Sequence, residues 1–215
     1  MNKKSNTKKT LGIAIPYFRI TCHCDDIFKK LMNQLDEQLT DDMIIYIYED
    51  GQESDWLKEY IKENIIVETN NINYGVAYAR NKCLNYLIDK VNYILYIDSD
   101  DRLDDDYLKK MHKECKKGKH EIYESGFYVN EQKYTYDARV VRCGVSGSAI
   151  KTDIIGDARF DNKLQIGEDT DFMGKIFDIK KYKKKFVDTN YYYQFGINEF
   201  SLIKRYQNKM IGKER

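Results

Sequence analysis

The sequence predicts an α/β fold in which a mostly parallel sheet is flanked by helices within a single domain. Short apolar runs alternate with amphipathic segments of helical length, and this alternation is typical of the crossover units that build a parallel sheet. The chain has 215 residues, which fits one domain of ordinary size. Hydrophobic residues make up 42% and charged residues 33%, a balance that permits a substantial core.

The composition excludes several classes of protein. The formal net charge of +1 lacks the basic footprint of a DNA-coating protein, so nucleic acid is not an expected partner. No apolar run approaches the roughly 18 residues that a membrane-spanning helix needs. The apolar run Leu11–Ile15 is too short for a signal peptide and is interrupted by Pro16. We therefore expect a cytoplasmic protein.

Cysteine usage favours free thiols. The five cysteines are an odd number and lack the dense spacing of a secreted disulfide scaffold. The cluster Cys22-His23-Cys24 could ligate zinc, but no matching second pair of ligands follows it. We therefore predict no zinc site.

The first half of the chain alternates predicted strands and helices in a regular order. Four apolar runs predict the strands, at Leu11–Ile15, Met43–Tyr48, Ile65–Val67 and Val91–Ile97. The segments between them carry helical apolar stripes behind a capping or turn residue, at Asp25-Asp26, Ser54 and Gly75. Ligands of such sheets bind beyond the carboxyl ends of the strands, so the residues that follow each run are the first candidates for a site.

The second half is less regular. Helices are predicted over Tyr107–Cys115 and after Gly167, and a strand over Lys185–Tyr193. Two further segments are a hairpin of Glu121–Val129 with Lys133–Tyr136 across Asn130, and a short helix or loop at Val145–Ile155. Residues 1–10 are predicted to be a flexible tail, 11–200 the domain, and 201–215 a basic helix. That helix could pack on the domain or contact an anionic membrane surface.

An acidic pair follows the most apolar strand. Asp98 and Asp100 flank Ser99 immediately after Val91–Ile97. Because alternate strand residues point to the same face, both carboxylates are expected on one side of the strand. Two hard oxygen donors suit Mg²⁺ or Mn²⁺, which bind substrate phosphates at the same time. The alternative is a solvated acidic turn that caps the next helix.

Three more groups of residues lie at predicted strand ends or helix starts. Glu49-Asp50 could accept the imide hydrogen of a uracil ring or could only form a turn with Gly51. Arg80, behind Asn73-Tyr74-Gly75, could pair with a phosphate or with the strand-end acids. Glu168-Asp169 begins a helix, where acids are favoured by the helix dipole and where Asp169 could act as a general base.

Taken in order, these segments resemble the family-two glycosyltransferases of the GT-A fold. The resemblance extends from about Leu11 to Ser201 and covers nearly the whole chain. The matching segments are Ile13-Ala14-Ile15-Pro16-Tyr17, Tyr48-Glu49-Asp50-Gly51, Asn73-Tyr74-Gly75 with Ala79-Arg80-Asn81, Tyr96-Ile97-Asp98-Ser99-Asp100-Asp101, Phe160-Asp161 and Gly167-Glu168-Asp169-Thr170-Asp171-Phe172.

The resemblance implies an inverting transferase that uses a nucleotide-activated sugar, with uridine diphosphate as the default carrier, and Mn²⁺ or Mg²⁺. It implies a metal site at Asp98 and Asp100, Asp169 as the catalytic base, and Glu168 as a residue that positions the acceptor. The residues that it places around the nucleotide are Pro16, Tyr17, Glu49, Asp50, Asn73, Gly75, Arg80, Asp98 and Ser99. The acceptor is expected to be a hydroxyl group of a glycan, a lipid-linked carrier or a protein.

The chain departs from the family pattern at three points. Glu49-Asp50-Gly51-Gln52 replaces the common Asp-Asp-Gly-Ser, and Tyr191–Gly196 offers neither the histidine nor the arginine that many relatives place near the diphosphate. Gln194, Lys204 or Arg205 could substitute for that missing cation. The Q-x-x-R-W signature of processive polymerases is missing, so transfer of one sugar at a time is expected.

Two other functions remain open from the sequence. A sugar nucleotidyltransferase would also join such a sheet to an acidic metal site, but it usually carries a glycine-rich loop where this chain has Pro16-Tyr17-Phe18-Arg19-Ile20. A non-catalytic protein that binds nucleotide sugars or acts as a scaffold would explain the altered second-strand motif. The presence of both acidic motifs counts against it.

Overall fold

A computed structural model describes residues 7–18, 22–129, 132–134, 144–164, 166–177 and 182–193. The described strands are β1 Lys9–Tyr17, β2 Met43–Asp50, β3 Ile65–Asn70, β4 Val91–Tyr96, β5 Arg102–Leu103, β6 Ile122–Val129, β7 Gln132–Tyr134, β8 Ser148–Lys151 and β9 Lys184–Tyr193. The described helices are α1 Cys22–Asp36, α2 Val76–Leu87, α3 Tyr107–Lys117, α4 Thr152–Ile155 and α5 Glu168–Ile176, with a 3-10 helix at Asp55–Tyr60.

The described strands form one mixed sheet in the order β3-β2-β1-β4-β8-β6-β9-β5, and β7 pairs with β6. Strands β1 to β4 are parallel to one another. Strand β8 lies antiparallel between β4 and β6, while β6 and β9 are parallel. The carboxyl ends of β1, β2 and β4 therefore meet at one edge of the sheet, where the predicted site residues follow them.

The core lies on both faces of the sheet because alternate strand residues point to opposite sides. In β1, Leu11 and Ile13 belong to the cluster that packs against α1 and α3, whereas Ala14 belongs to the cluster that packs against α2, α4 and α5. Helices α2 and α5, which carry Arg80 and Glu168, thus lie on the same face. This shared face brings two residues that are distant in sequence to one place.

The predicted α/β class is confirmed. The first four predicted strands are also present, in the predicted order along the chain. The strand predicted to end at Pro16 continues to Tyr17. Pairing of β1 with β4 ends at Ala14, so beyond that point β1 is paired only with β2. Proline, which has no amide hydrogen to donate, is tolerated where a strand has lost one of its two partners. Strand β1 also begins at Lys9, inside the segment predicted to be a flexible tail.

Two local predictions were wrong. Val145–Ile155 was expected to be a short helix or loop, but it contains strand β8 followed by the four-residue helix α4. Strand β8 is too short to show alternation, and its first three residues, Ser148–Ile150, are buried in the interior of the sheet. The helix expected after Ser54 is a single 3-10 segment.

Some predictions fall outside the described residues. These are the turn at Asn130, the substitutes Gln194, Lys204 and Arg205, and the basic helix over 201–215. Within the part of the chain that the structure describes, no helix has both the length and the apolar character needed to cross a bilayer.

Close packing of α2 on β1 depends on Gly12. A Cβ atom at this position would lie 3.0 Å from a methyl carbon of Leu87 and 3.0 Å from one of Val91. We predict that Gly12→Val lowers the free energy of unfolding by about 1–3 kcal/mol, because the added methyl groups overpack the core. Gly174→Ala, where a Cβ meets no atom within 4 Å, should raise it by about 0.4–1 kcal/mol. Urea unfolding measures both changes, and equal stability of the two variants would contradict the packing argument.

Candidate functional site

A buried arginine joins three segments of the chain at the edge of the sheet. Arg80, in the second turn of α2, is only 5% exposed. Its Nη2 donates to Asp98 Oδ1 at 2.9 Å, and its Nη1 donates to Glu168 Oε1. Burial lowers the pKa of Arg80, but the charges of Asp98 and Glu168 outweigh burial and keep the guanidinium protonated. The guanidinium also lies over the ring of Phe160, with 5.8 Å between its central carbon and the ring centroid.

Asp98 is held by contacts to both carboxylate oxygens and to its backbone. Arg80 donates to Oδ1, and the hydroxyl of Ser146 donates to Oδ2 at 2.7 Å. The backbone N–H of Asp98 donates to Tyr191 Oη at 3.0 Å, and the Tyr191 hydroxyl donates in turn to Asp101 at 2.6 Å. Asp98 therefore has a fixed orientation. Sequence reasoning missed Ser146 and Tyr191, whose partners lie 48 and 93 residues away.

The second aspartate lies in a turn and not on the strand. Strand β4 ends at Tyr96, and the Asp101 N–H donates to the Asp98 carbonyl at 3.2 Å across a turn that contains Ser99 and Asp100. The prediction that strand alternation places Asp98 and Asp100 on one face was therefore wrong. The carboxyl group of Asp100 is half-buried, and burial, followed by the charge of Asp98, raises its pKa to about 6.

The donor set at this turn fits a divalent cation that is completed by substrate oxygens. The described residues contain no group of three or more His, Cys, Asp or Glu side chains arranged to hold a metal ion. Mg²⁺, however, is commonly bound through one or two carboxylates together with phosphates and water. Burial, followed by the charge of Asp98, raises the pKa of Asp100, and a cation held by these residues would favour the ionised carboxylate.

The carboxylates at the end of β2 are bound to neighbouring backbone and side-chain groups. Asp50 accepts the backbone N–H groups of Tyr74 at 2.9 Å and Gly75 at 2.7 Å. Burial raises the pKa of Asp50, and these hydrogen bonds oppose that effect. Glu49 is fully buried and accepts the backbone N–H of Ser54 at 3.0 Å and its hydroxyl. Asp50 thus anchors the turn Asn73-Tyr74-Gly75 from which α2 begins, and Glu49 anchors the start of the 3-10 helix.

The end of β1 presents Phe18 and not Tyr17 to solvent. The side chain of Tyr17 is 1% exposed, and its hydroxyl donates to Asp25. Phe18 is 37% exposed and lies beside Gly51, where a Cβ atom would be 3.1 Å from the Phe18 ring and 2.9 Å from Asn73 Cβ. Gly51 has a φ of 104°, a conformation that glycine adopts readily. Phe18 therefore offers an exposed aromatic ring at this edge, as does Tyr74, which is 53% exposed. Sequence reasoning missed Phe18 although it follows the strand directly.

Three acids lie in the first turn of α5, namely Glu168, Asp169 and Asp171. Glu168 is buried against Arg80; burial raises the pKa of Glu168, and the charge of Arg80 opposes that rise. Asp169 is half-buried, and its Oδ1 accepts the backbone N–H of Thr170 at 2.7 Å. The charge of Asp169 acts on both Arg80 and Glu168, which places Asp169 at the border of the same cluster.

A cluster of carboxylates around one buried guanidinium, at the carboxyl ends of parallel strands, is typical of a site for a phosphate ester and a cation. The family model for glycosyl transferase family 2 matches residues 20–205, and the chain belongs to this family. The resemblance noted in the sequence is thereby confirmed. A search of curated proteins found no match.

The chain is also similar in fold to solved structures of S. aureus TarS. TarS 1-349 shares 16% identity at a TM-score of 0.69, over 88% of this chain and 61% of that one. A longer structure of TarS shares 15% identity at a TM-score of 0.67, over 90% and 38%. TarS 1-349 in complex with UDP-GlcNAc shares 16% identity at a TM-score of 0.64, over 84% and 58%. This chain therefore spans less than two thirds of the length of these structures, and the likeness confirms the GT-A fold.

The raised pKa of Asp100 predicts a pH-dependent stability. Because the folded protein binds the Asp100 proton more tightly than the unfolded chain, the free energy of unfolding falls as pH rises from about 4 to about 6. Asp100→Asn removes the repulsion with Asp98, so the variant should be more stable than the native protein at neutral pH and no more stable at about pH 4. Urea unfolding in a metal-free buffer measures the difference, and Asp105→Asn, at an exposed position, is the control. A stability gain that is the same at both pH values would contradict the assignment.

Proposed function

We propose that this protein transfers one sugar from a nucleotide diphosphate sugar to an acceptor hydroxyl, with inversion at the sugar carbon and with Mn²⁺ or Mg²⁺ as cofactor. The observation that carries the proposal is the buried ion cluster of Arg80, Asp98 and Glu168, bordered by Asp100 on one side and Asp169 on the other. Family membership gives the reaction class, and the cluster supplies groups suited to its two halves, the departing diphosphate and the attacking hydroxyl.

The donor nucleotide is proposed to lie across the ends of β1, β2 and β4. Phe18 offers an exposed ring for the base, and the turn at Asn73–Gly75, anchored by Asp50, forms the neighbouring wall. The TarS complexes with UDP and with UDP-GlcNAc support a uridine nucleotide as the first candidate. Pro16 and Tyr17 then support the base pocket from inside the sheet, since Tyr17 is buried.

Asp98 and Asp100 are the residues proposed to hold the cation. A bound Mn²⁺ or Mg²⁺ would stabilise the negative charge of the diphosphate leaving group as a Lewis acid. Arg80 and Ser146 fix the carboxylate of Asp98, while Asp100 lies in the turn two residues later. Such preorganisation keeps the charge of the site in place before the donor arrives.

Asp169 is the proposed general base. Of the three acids in the first turn of α5, Glu168 is bound to Arg80 and Asp171 pairs with Lys175, so Asp169 is the better placed to accept a proton. Attack of the deprotonated hydroxyl on the face opposite the diphosphate inverts the configuration at the sugar carbon. A base in this role contributes roughly 10²–10⁴-fold to the rate. The acceptor is proposed to be a glycan, a lipid-linked carrier or a protein.

We predict that Asp169→Asn abolishes sugar transfer and donor hydrolysis while nucleotide binding persists. The amide has nearly the same shape as the carboxylate but accepts no proton, so the rate should fall by about 10²-fold or more. Asp171→Asn is the matched control, because Asp171 lies in the same turn and pairs with Lys175 at 2.6 Å, away from the cluster. Turnover is measured as nucleotide diphosphate release in Mn²⁺. Undiminished turnover by Asp169→Asn would show that the base is another residue.

The donor is identified by a panel of nucleotide sugars tested for slow hydrolysis, since this assay requires no acceptor. Calorimetry with the best donor, with and without Mn²⁺, tests the metal, and binding that is independent of the cation would contradict metal dependence. Absence of any metal-linked nucleotide binding would favour a non-catalytic protein of this fold. Release of pyrophosphate from a sugar phosphate and a nucleoside triphosphate would favour a nucleotidyltransferase.

A further inference from the structure

Gly144 lies against one oxygen of the Asp169 carboxylate. Oδ1 of Asp169 accepts the backbone N–H of Thr170 at 2.7 Å, and the Thr170 hydroxyl is 3.5 Å from the same oxygen. A Cβ atom built on Gly144 would lie 3.1 Å from the other oxygen, Oδ2. Among the described residues beyond the immediate chain neighbours, no other heavy atom lies within 4 Å of that Cβ position. A side chain at residue 144 would therefore approach Oδ2, and glycine leaves that position without a Cβ atom.

Gly144 differs from Gly147, three residues later, whose φ of 75° is a conformation that favours glycine. At Gly144 the feature is the close approach of a built Cβ atom to Asp169 Oδ2. Where an L residue can adopt the native φ, replacing glycine by alanine normally stabilises a protein, because the unfolded chain loses conformational freedom. The contact with Asp169 is therefore the feature that distinguishes residue 144.

The segment that follows Gly144 is fixed to the sheet. Val145 is fully buried, and the hydroxyl of Ser146 donates to Asp98 at 2.7 Å. The N–H of Gly147 donates to the Tyr96 carbonyl at 2.9 Å, and its carbonyl accepts the hydroxyl of Tyr107 at 3.0 Å. Residues 145–147 are thus held in place, so we expect the carboxylate of Asp169 to shift when a side chain is added at residue 144.

We propose that Gly144 is a positioning residue that keeps space beside Asp169 Oδ2 for the acceptor hydroxyl, and that Oδ2 is the atom that takes up the proton. The inference rests on the proposed function of Asp169. In the step, the acceptor O–H bond breaks and its proton passes to Oδ2. The electron pair of the acceptor oxygen forms the new bond to the sugar carbon, and the bond from that carbon to the diphosphate oxygen breaks with its electrons on the diphosphate.

The test compares Gly144→Ala with Gly174→Ala, a glycine in α5 whose Cβ would meet no atom within 4 Å. Hydrolysis of UDP-GlcNAc, or of the donor that the panel selects, is followed across pH in Mn²⁺.

For Gly144→Ala we expect kcat to fall about tenfold or more, because displacement of a catalytic group by a fraction of an ångström lowers the rate strongly. Its affinity for UDP should be unchanged. The acidic limb of its pH–rate profile should move to higher pH, because the methyl group excludes water from the charged carboxylate. Gly174→Ala should match the native enzyme.

A second measurement tests the contact between residue 144 and the Asp169 carboxylate without an activity assay. Gly144→Ala should lower the melting temperature of the native protein but not that of Asp169→Ala, in which the carboxylate is absent. An equal loss in both backgrounds would overturn the inference, as would a Gly144→Ala enzyme with native kcat and an unmoved acidic limb. Failure of the proposed function has a different signature, because Asp169→Asn would then retain its activity whatever the result at Gly144.

Discussion

The site depends on one buried guanidinium. Arg80 is separated from Asp98 by 18 residues and from Glu168 by 88, and it bonds to both. Removing a charged group from water is costly, and the cost is offset only when its partners are well placed. The three side chains therefore stabilise one another only in a single arrangement, which fixes the start of α5 against the loop after β4. Loss of either acid would leave a buried charge without full compensation, at a cost of about 3–5 kcal/mol.

The cluster as described carries more acid than base. Asp98, Asp100, Glu168 and Asp169 lie around or beside the guanidinium of Arg80, and burial, followed by the charge of Asp98, raises the pKa of Asp100. A protein optimised for stability alone would avoid such repulsion. Electrostatic repulsion of this kind is common at functional sites that bind a cation or transfer a proton. The raised pKa of Asp100 is therefore consistent with the cation proposed to bind there.

Local patterns in the sequence were sufficient to predict where the strands lie and which acidic residues follow them. Strand periodicity and turn preferences depend on only a few neighbouring residues. They failed where the structure is decided by tertiary contacts. Strand β4 ends before Asp98, so strand alternation did not describe the two aspartates. Tyr17 is buried and Phe18 is exposed, a choice set by the register of β1 and by the partner Asp25. Nothing near Ser146 in the sequence indicates that its hydroxyl bonds to Asp98, since pairs across 48 residues leave no local signal.

The segment 144–147 links the two halves of the proposed reaction. Ser146 donates to Asp98, which is proposed to act on the leaving diphosphate, and Gly144 lies against Asp169, the proposed base for the attacking hydroxyl. In-line displacement requires the nucleophile and the leaving group to be held at a fixed separation, and small errors in that separation cost large factors in rate. A short segment anchored to β4 through Tyr96 can set this separation more accurately than two independent loops could. The short strand β8 begins at the end of this segment and is buried between β4 and β6, so the least regular part of the sheet is also the part that fixes the geometry of the site.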